Sequence, residues 1–132
     1  METRPSPPPA RAAGDPALSP AEELPGLYRM VLDKVGKNAE GKSIELFMVP
    51  GMYHCQGGPG TDTFDKAAAI DTWATTGKAP DQIVASHLTE GKVDRTRPLC
   101  VFPKVAKWNG TGSTDDAANF ICAADTAPRA TK

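Results

Sequence analysis

The fold turns on residues 44–49, IELFMV, and on the loop after them, GMYHCQGGPGTDT over residues 51–63. A nearly continuous apolar run of six residues predicts a strand covered on both faces, as in the parallel sheet of an α/β protein. Pro50-Gly51 ends the run, and the glycines that follow exclude regular structure. Such a strand carries unpaired N–H and C=O groups along both edges and needs a neighbour on each side. The rest of the chain offers little to pair with it. The sequence therefore predicts half of an α/β unit, incomplete without further polypeptide.

Working outward, Ser19-Pro20-Ala21-Glu22 is a helix start, with serine at the N-cap, proline at N1 and glutamate closing a capping box. Leu24, Leu27, Tyr28, Val31 and Val35 follow at helical spacing, and Gly36 is a natural stop. Pro25 and Gly26 weaken the first turns. Residues 1–14, METRPSPPPARAAG, read as a disordered or artefactual lead-in. Downstream, a second helix is predicted from Asp62 or Thr63 to about Thr76, burying Phe64, Ala67, Ala68, Ile70, Trp73 and Ala74, with Gly77 as its end. A turn over 78–81 leads to a short strand over 82–88. Residues 91–124 are expected to be irregular, with brief extended pieces near 99–102 and 104–108, and 125–132 to be a flexible tail.

Composition narrows the function. Thirteen prolines and 12 glycines in 132 residues, with 39% apolar and 6% aromatic residues, leave little material for a core of this size. A net charge of −1, from 15 basic and 16 acidic residues, argues against nucleic acid and anionic membrane as partners. No apolar run approaches the length of a membrane span, and the first residues lack the apolar core of a signal peptide, so no export signal is expected. Three cysteines, Cys55, Cys100 and Cys122, imply a free thiol or a partner outside the chain; three reduced thiols are the plainer alternative.

A histidine on a flexible loop just past a strand is where α/β-hydrolases keep their general base, in the chain order Ser, acid, His. His54 occupies such a place, and Asp15, in Gly14-Asp15-Pro16, stands where an acid-bearing loop would precede the first helix. An ordinary Asp-Pro turn and a solvated histidine are the plain readings of the same residues. His54-Cys55 with Asp15 could hint at a metal, but ligands at recognisable spacing are lacking and no metal is expected. His87 has no cysteine or acidic residue at ligand spacing and is read as a strand or loop residue.

FMVPGMYHCQGGPGTDTFD (47–65), AAIDTWATTGKAPDQIVASH (68–87) and RTRPLCVFPKVAKWNGTGSTDDAANFICA (95–123) together resemble the C-terminal signature of the tannase and feruloyl esterase family. The likeness runs from Gly14 to Ala124. It implies a C-terminal fragment of an α/β-hydrolase fold over residues 15–124, with two helices around one or two strands and an irregular, disulfide-linked tail. It implies hydrolysis of phenolic-acid esters without a cofactor, by a serine, an aspartate and a histidine. In that resemblance His54 corresponds to the base and Asp15 to the acid. Cys55 corresponds to a cysteine bonded to the one beside the serine, hence to a partner outside this chain. Cys100 and Cys122 correspond to a local disulfide, whose closed loop contributes roughly 3 kcal/mol in the chain-entropy model. The match thins before Asp15, where PPPARAA replaces the expected apolar strand. No G-x-S-x-G or Cys-Ser step occurs, so the resemblance implies an acid and a base without a nucleophile, and an isolated chain without turnover. Its expected partners are an aromatic ester in the complete enzyme and the missing N-terminal half, and the parent family is secreted or periplasmic. A non-catalytic binding module reusing the scaffold is the second reading.

Overall fold

The computed structural model describes residues 23–126. Helix α1 spans Glu23–Val35. Pro25 lies in its first turn, where a missing N–H loses no helical bond. Tyr28 and Leu32, one turn apart, are buried, while Leu24, Leu27 and Val35 stay exposed. Gly36 closes the helix at φ 95°, its N–H donating to the Leu32 carbonyl at 2.8 Å, a conformation that favours glycine. The capping box at Ser19–Glu22 and the lead-in lie outside the described residues.

Tyr28 anchors this helix. Its ring meets Phe102 edge-on at 6.2 Å, Arg29 lies over the same Phe102 ring at 5.6 Å, and the Tyr28 hydroxyl donates to Glu40 at 3.1 Å. Burial first, then the bond to Glu40, pushes the phenol up to about 12.

Residues 44–49 depart from expectation. They are half-buried and extended but form no ladder. Phe47 makes one antiparallel bridge to Val101 and Ile44 one to Glu40, and the Phe102 N–H donates to the Leu46 carbonyl at 2.8 Å. Apolar content supplies packing, but a strand exists only where another backbone pairs with it. Among the described residues no such partner runs alongside, so the predicted parallel strand is an extended segment with open edges.

Helix α2 spans Lys66–Thr76. Asp65 caps it by accepting the Ala68 N–H at 2.8 Å, and Gly77, at φ 70°, returns its N–H to Trp73. It starts later than predicted because Asp62 is engaged by Gly57 and Thr63 forms a bridge with Ser86. Its predicted buried side is not buried: Ala67, Ala68, Ile70 and Ala74 are exposed, and Phe64 and Trp73 are half-buried.

The C-terminal third is more regular than its composition predicts. β1 (Gln82–Thr89) and β2 (Lys92–Cys100) form an antiparallel hairpin, turned by Glu90 and Gly91, both at positive φ, the conformation a two-residue hairpin turn demands. β3 (Lys104–Trp108) pairs antiparallel with β4 (Phe120–Ala124). β2 lies against both strands of the second hairpin. A Cys100–Cys122 disulfide, Cα atoms 5.6 Å apart, joins the two. Ala85, Leu99 and Cys100 form the buried centre.

Candidate active site

The loop between residues 50 and 62 is built by backbone closure. The Gly60 N–H donates to the Gly51 carbonyl at 3.0 Å and the Tyr53 N–H to the Gly57 carbonyl at 2.9 Å. A side chain at Gly58, which sits at φ 101°, would collide with the Gly51 carbonyl oxygen. Glycine is thus required by close approach as well as by dihedral.

Two side chains from outside this ring hold it. The Asp62 carboxylate accepts the Gly57 N–H at 2.6 Å, and that bond is the main reason its pKa falls below the usual carboxylate value. Two residues further along, Arg95 of β2 donates to the Pro59 carbonyl. The Asp62 and Arg95 contacts were not legible as site features in the sequence; the spacing of Asp62 from the glycines is the one signal that could have raised it.

His54 and Cys55 are exposed at the free end of the loop. Cys55 adopts φ 63°, unusual for a residue with a Cβ. Its thiol is free and exposed, with Sγ 3.2 Å from His54 Nδ1. The structure therefore brings together His54 and Cys55, and separately Cys100 and Cys122. Asp15 lies outside the described residues.

His87 does have an acidic partner, contrary to the sequence reading. The β1–β2 register shifts between His87 and Leu88, and this irregularity places Asp94 Oδ1 2.6 Å from His87 Nδ1. The Thr89 hydroxyl donates to the other carboxylate oxygen at 2.6 Å, and these two bonds, Thr89's first, lower the Asp94 pKa. A histidine–carboxylate pair resembles part of a hydrolytic triad, but the neighbouring hydroxyl is committed to the carboxylate, so the pair fastens the irregular hairpin. Among the described residues no group of three or more His, Cys, Asp or Glu could hold a metal ion, and no helix is long and apolar enough to cross a membrane.

The tannase and feruloyl esterase family model matches residues 11–123. A mono(2-hydroxyethyl) terephthalate hydrolase of Piscinibacter sakaiensis is 51% identical over 82 residues, covering 60% of this chain and 14% of that protein. An uncharacterized esterase of Agrobacterium fabrum is 33% identical over 112 residues, covering 84% of this chain and 20% of its own length. An esterase from Aspergillus oryzae superposes with a TM-score of 0.67 at 22% identity, covering 80% of this chain and 25% of that one. Feruloyl esterase B from the same fungus superposes with a TM-score of 0.63 at 27% identity, covering 78% and 24%. The chain thus spans a quarter or less of the proteins it matches, and its fold is part of an α/β-hydrolase. With the match extending over most of its length, the chain belongs to the tannase and feruloyl esterase family, a family of ester hydrolases.

Proposed function

We propose that this chain supplies the general base of a serine ester hydrolase, with His54 taking the proton of a nucleophilic serine contributed by other polypeptide. The single observation that carries the reading is the presentation of His54: exposed on a glycine-closed loop whose backbone is tied down just after it, at Gly57 by Asp62 and at Pro59 by Arg95. A general base has to reach an incoming hydroxyl while its scaffold stays fixed. Asp15 is the proposed acid that holds the imidazole tautomer and stabilises the imidazolium formed in acyl transfer. The free, exposed Cys55 is the proposed half-cystine joining this loop to the serine's loop. The Cys100–Cys122 bond supports an oxidising compartment for the protein.

Esters of aromatic carboxylic acids are the proposed substrates, in keeping with the names of the terephthalate and feruloyl relatives. Serine attack on the carbonyl, with the proton passing to His54 and then to the leaving alcohol, releases the alcohol; water completes the cycle and frees the acid. The 132 residues contain no Cys-Ser or G-x-S-x-G step, so the isolated chain is expected to show no turnover.

The test joins this chain to the serine-bearing N-terminal part of a family relative and measures hydrolysis of a chromogenic phenolic ester. The isolated chain is expected to be inert and the joined protein active, with His54→Ala lowering kcat about ten-thousandfold. Turnover by the isolated chain, or turnover of the joined protein indifferent to His54→Ala, overturns the reading.

A further inference from the structure

Beneath the His54 loop, between it and β2–β3, lies a cleft of about 360 Å³, within the roughly 300–1,000 Å³ usual for small-molecule sites. Met48, Leu99 and Val105 give it apolar walls, and Arg95, Arg97 and Lys104 bring three positive charges to its lining. No described aspartate or glutamate lines it.

The two arginines alternate along β2 and so leave the same face of the hairpin, the face that also carries their cross-strand partners His87 and Ala85. Each is fixed by a neutral acceptor: Arg95 donates to the Pro59 carbonyl and Arg97 to the Thr114 carbonyl at 2.8 Å. Arg97 is further held over the Phe120 ring at 3.8 Å. These contacts position the guanidinium groups without cancelling their charge, and each retains N–H donors beyond the one used. Burial first, and then the like charge of Arg95, lowers the Arg97 pKa, with Asp115 opposing. Two cations crowded beside apolar walls form an arrangement that an incoming anion relieves.

We propose that this cleft binds an aromatic carboxylate, its ring against Met48, Pro50 and Val105 and its carboxylate between Arg95 and Arg97, with Lys104 adding attraction from the rim. A bare inorganic anion would satisfy the charges but leave the apolar walls wet. A neutral aromatic would fill the walls but leave the cations unpaired. An aromatic carboxylate does both, and the planar guanidinium fork suits a carboxylate better than a point charge does. The identity of the acid rests on the esterase reading, because an aromatic acid is what the proposed hydrolysis releases. The binding itself requires neither His54 nor a serine.

The experiment titrates benzoate into the oxidised 132-residue chain and follows backbone amide signals of residues 95–106 by NMR. Saturable binding is expected, and benzamide, the uncharged analogue, is expected to bind at least about tenfold more weakly, the scale of one charge-assisted contact. Arg97→Gln is expected to weaken benzoate about tenfold, and Lys104→Gln, at an exposed position, about two- to threefold with an unchanged fold. His54→Ala is expected to leave binding unchanged, which separates a failure here from a failure of the catalytic reading. Absence of saturable binding overturns the proposal, as does equal affinity for benzamide. Displacement by sulfate at equal concentration also overturns it, since the apolar walls would then contribute nothing.

Discussion

Residues 82–124 and residues 23–80 solve the problem of a small core in opposite ways. The first region is cross-linked and satisfied within itself: two hairpins, a disulfide between them, and Leu99 and Ala85 sealed at the centre. Both leave large apolar side chains outside: Val84, Val93 and Ile121 in the first and Leu27, Met30, Val35 and Ile70 in the second are all more than half exposed. What the second lacks is pairing, for the most apolar stretch of the chain, residues 44–49, makes isolated bridges instead of a ladder. Chain composition is shared; pairing is not. Backbone bonding and a covalent tie order a region poor in apolar residues, whereas apolar content alone orders nothing without a surface to meet.

The sharpest way to break this contrast is a pair of truncations. Leu99→Ala, at a residue 2% exposed, is expected to cost about 2–5 kcal/mol in thermal or denaturant melting. Removing the disulfide with Cys122→Ala is expected to cost about 3 kcal/mol, and a wild-type melt in reductant should reproduce the loss. If neither change moves the transition, the hairpins do not form the stable unit.

Smaller effects sharpen the picture at the loop and at α1. Asp62→Ala is expected to cost about 1 kcal/mol once solvent screening is allowed for, with faster hydrogen exchange at the Gly57 amide. The pH dependence has a definite sign. The depressed Asp62 pKa means that its contribution is complete above the ordinary carboxylate value and is lost as pH falls through the lowered one. Tyr28 works at the other end of the scale: its phenol is raised from 10.0 to about 12. Its contribution is therefore intact below pH 10 and lost as pH rises toward 12, because the unfolded phenol ionises first. An ultraviolet titration in which Tyr28→Phe removes a late-titrating phenol checks this. Smallest of all, Ile70→Ala, at a residue 61% exposed, is expected to change stability by no more than about 0.5 kcal/mol. A loss matching that of Leu99→Ala would erase the distinction between the regions.

Local signals were the legible part of the sequence. Helical spacing placed α1 and α2, Gly36 and Gly77 marked their ends, and β1 was visible in the apolar run around Val84. The glycine-rich loop carrying His54, the proposed base, stood out by its position after an apolar stretch. What escaped was long-range pairing. β2, KVDRTRPLC, carries four charges and a proline, and nothing in its hydropathy announces a strand, so residues 91–124 read as irregular. Asp94 was invisible as His87's partner because their meeting depends on a register shift. Conversely, residues 44–49 looked like a finished strand because hydropathy reports the preference for burial, not the availability of a neighbour.

One consequence of β2 reaches further than its length suggests. Arg95 grips the His54 loop at Pro59, the Thr96 hydroxyl accepts the Ala117 N–H, Arg97 holds Thr114, and Cys100 is welded to β4. Two surface loops distant in sequence, around residues 57–60 and 113–117, are therefore fastened to consecutive positions of a single strand. Loop grafting at either site would tug on the other through a common axle, so variants of the two need to be selected jointly.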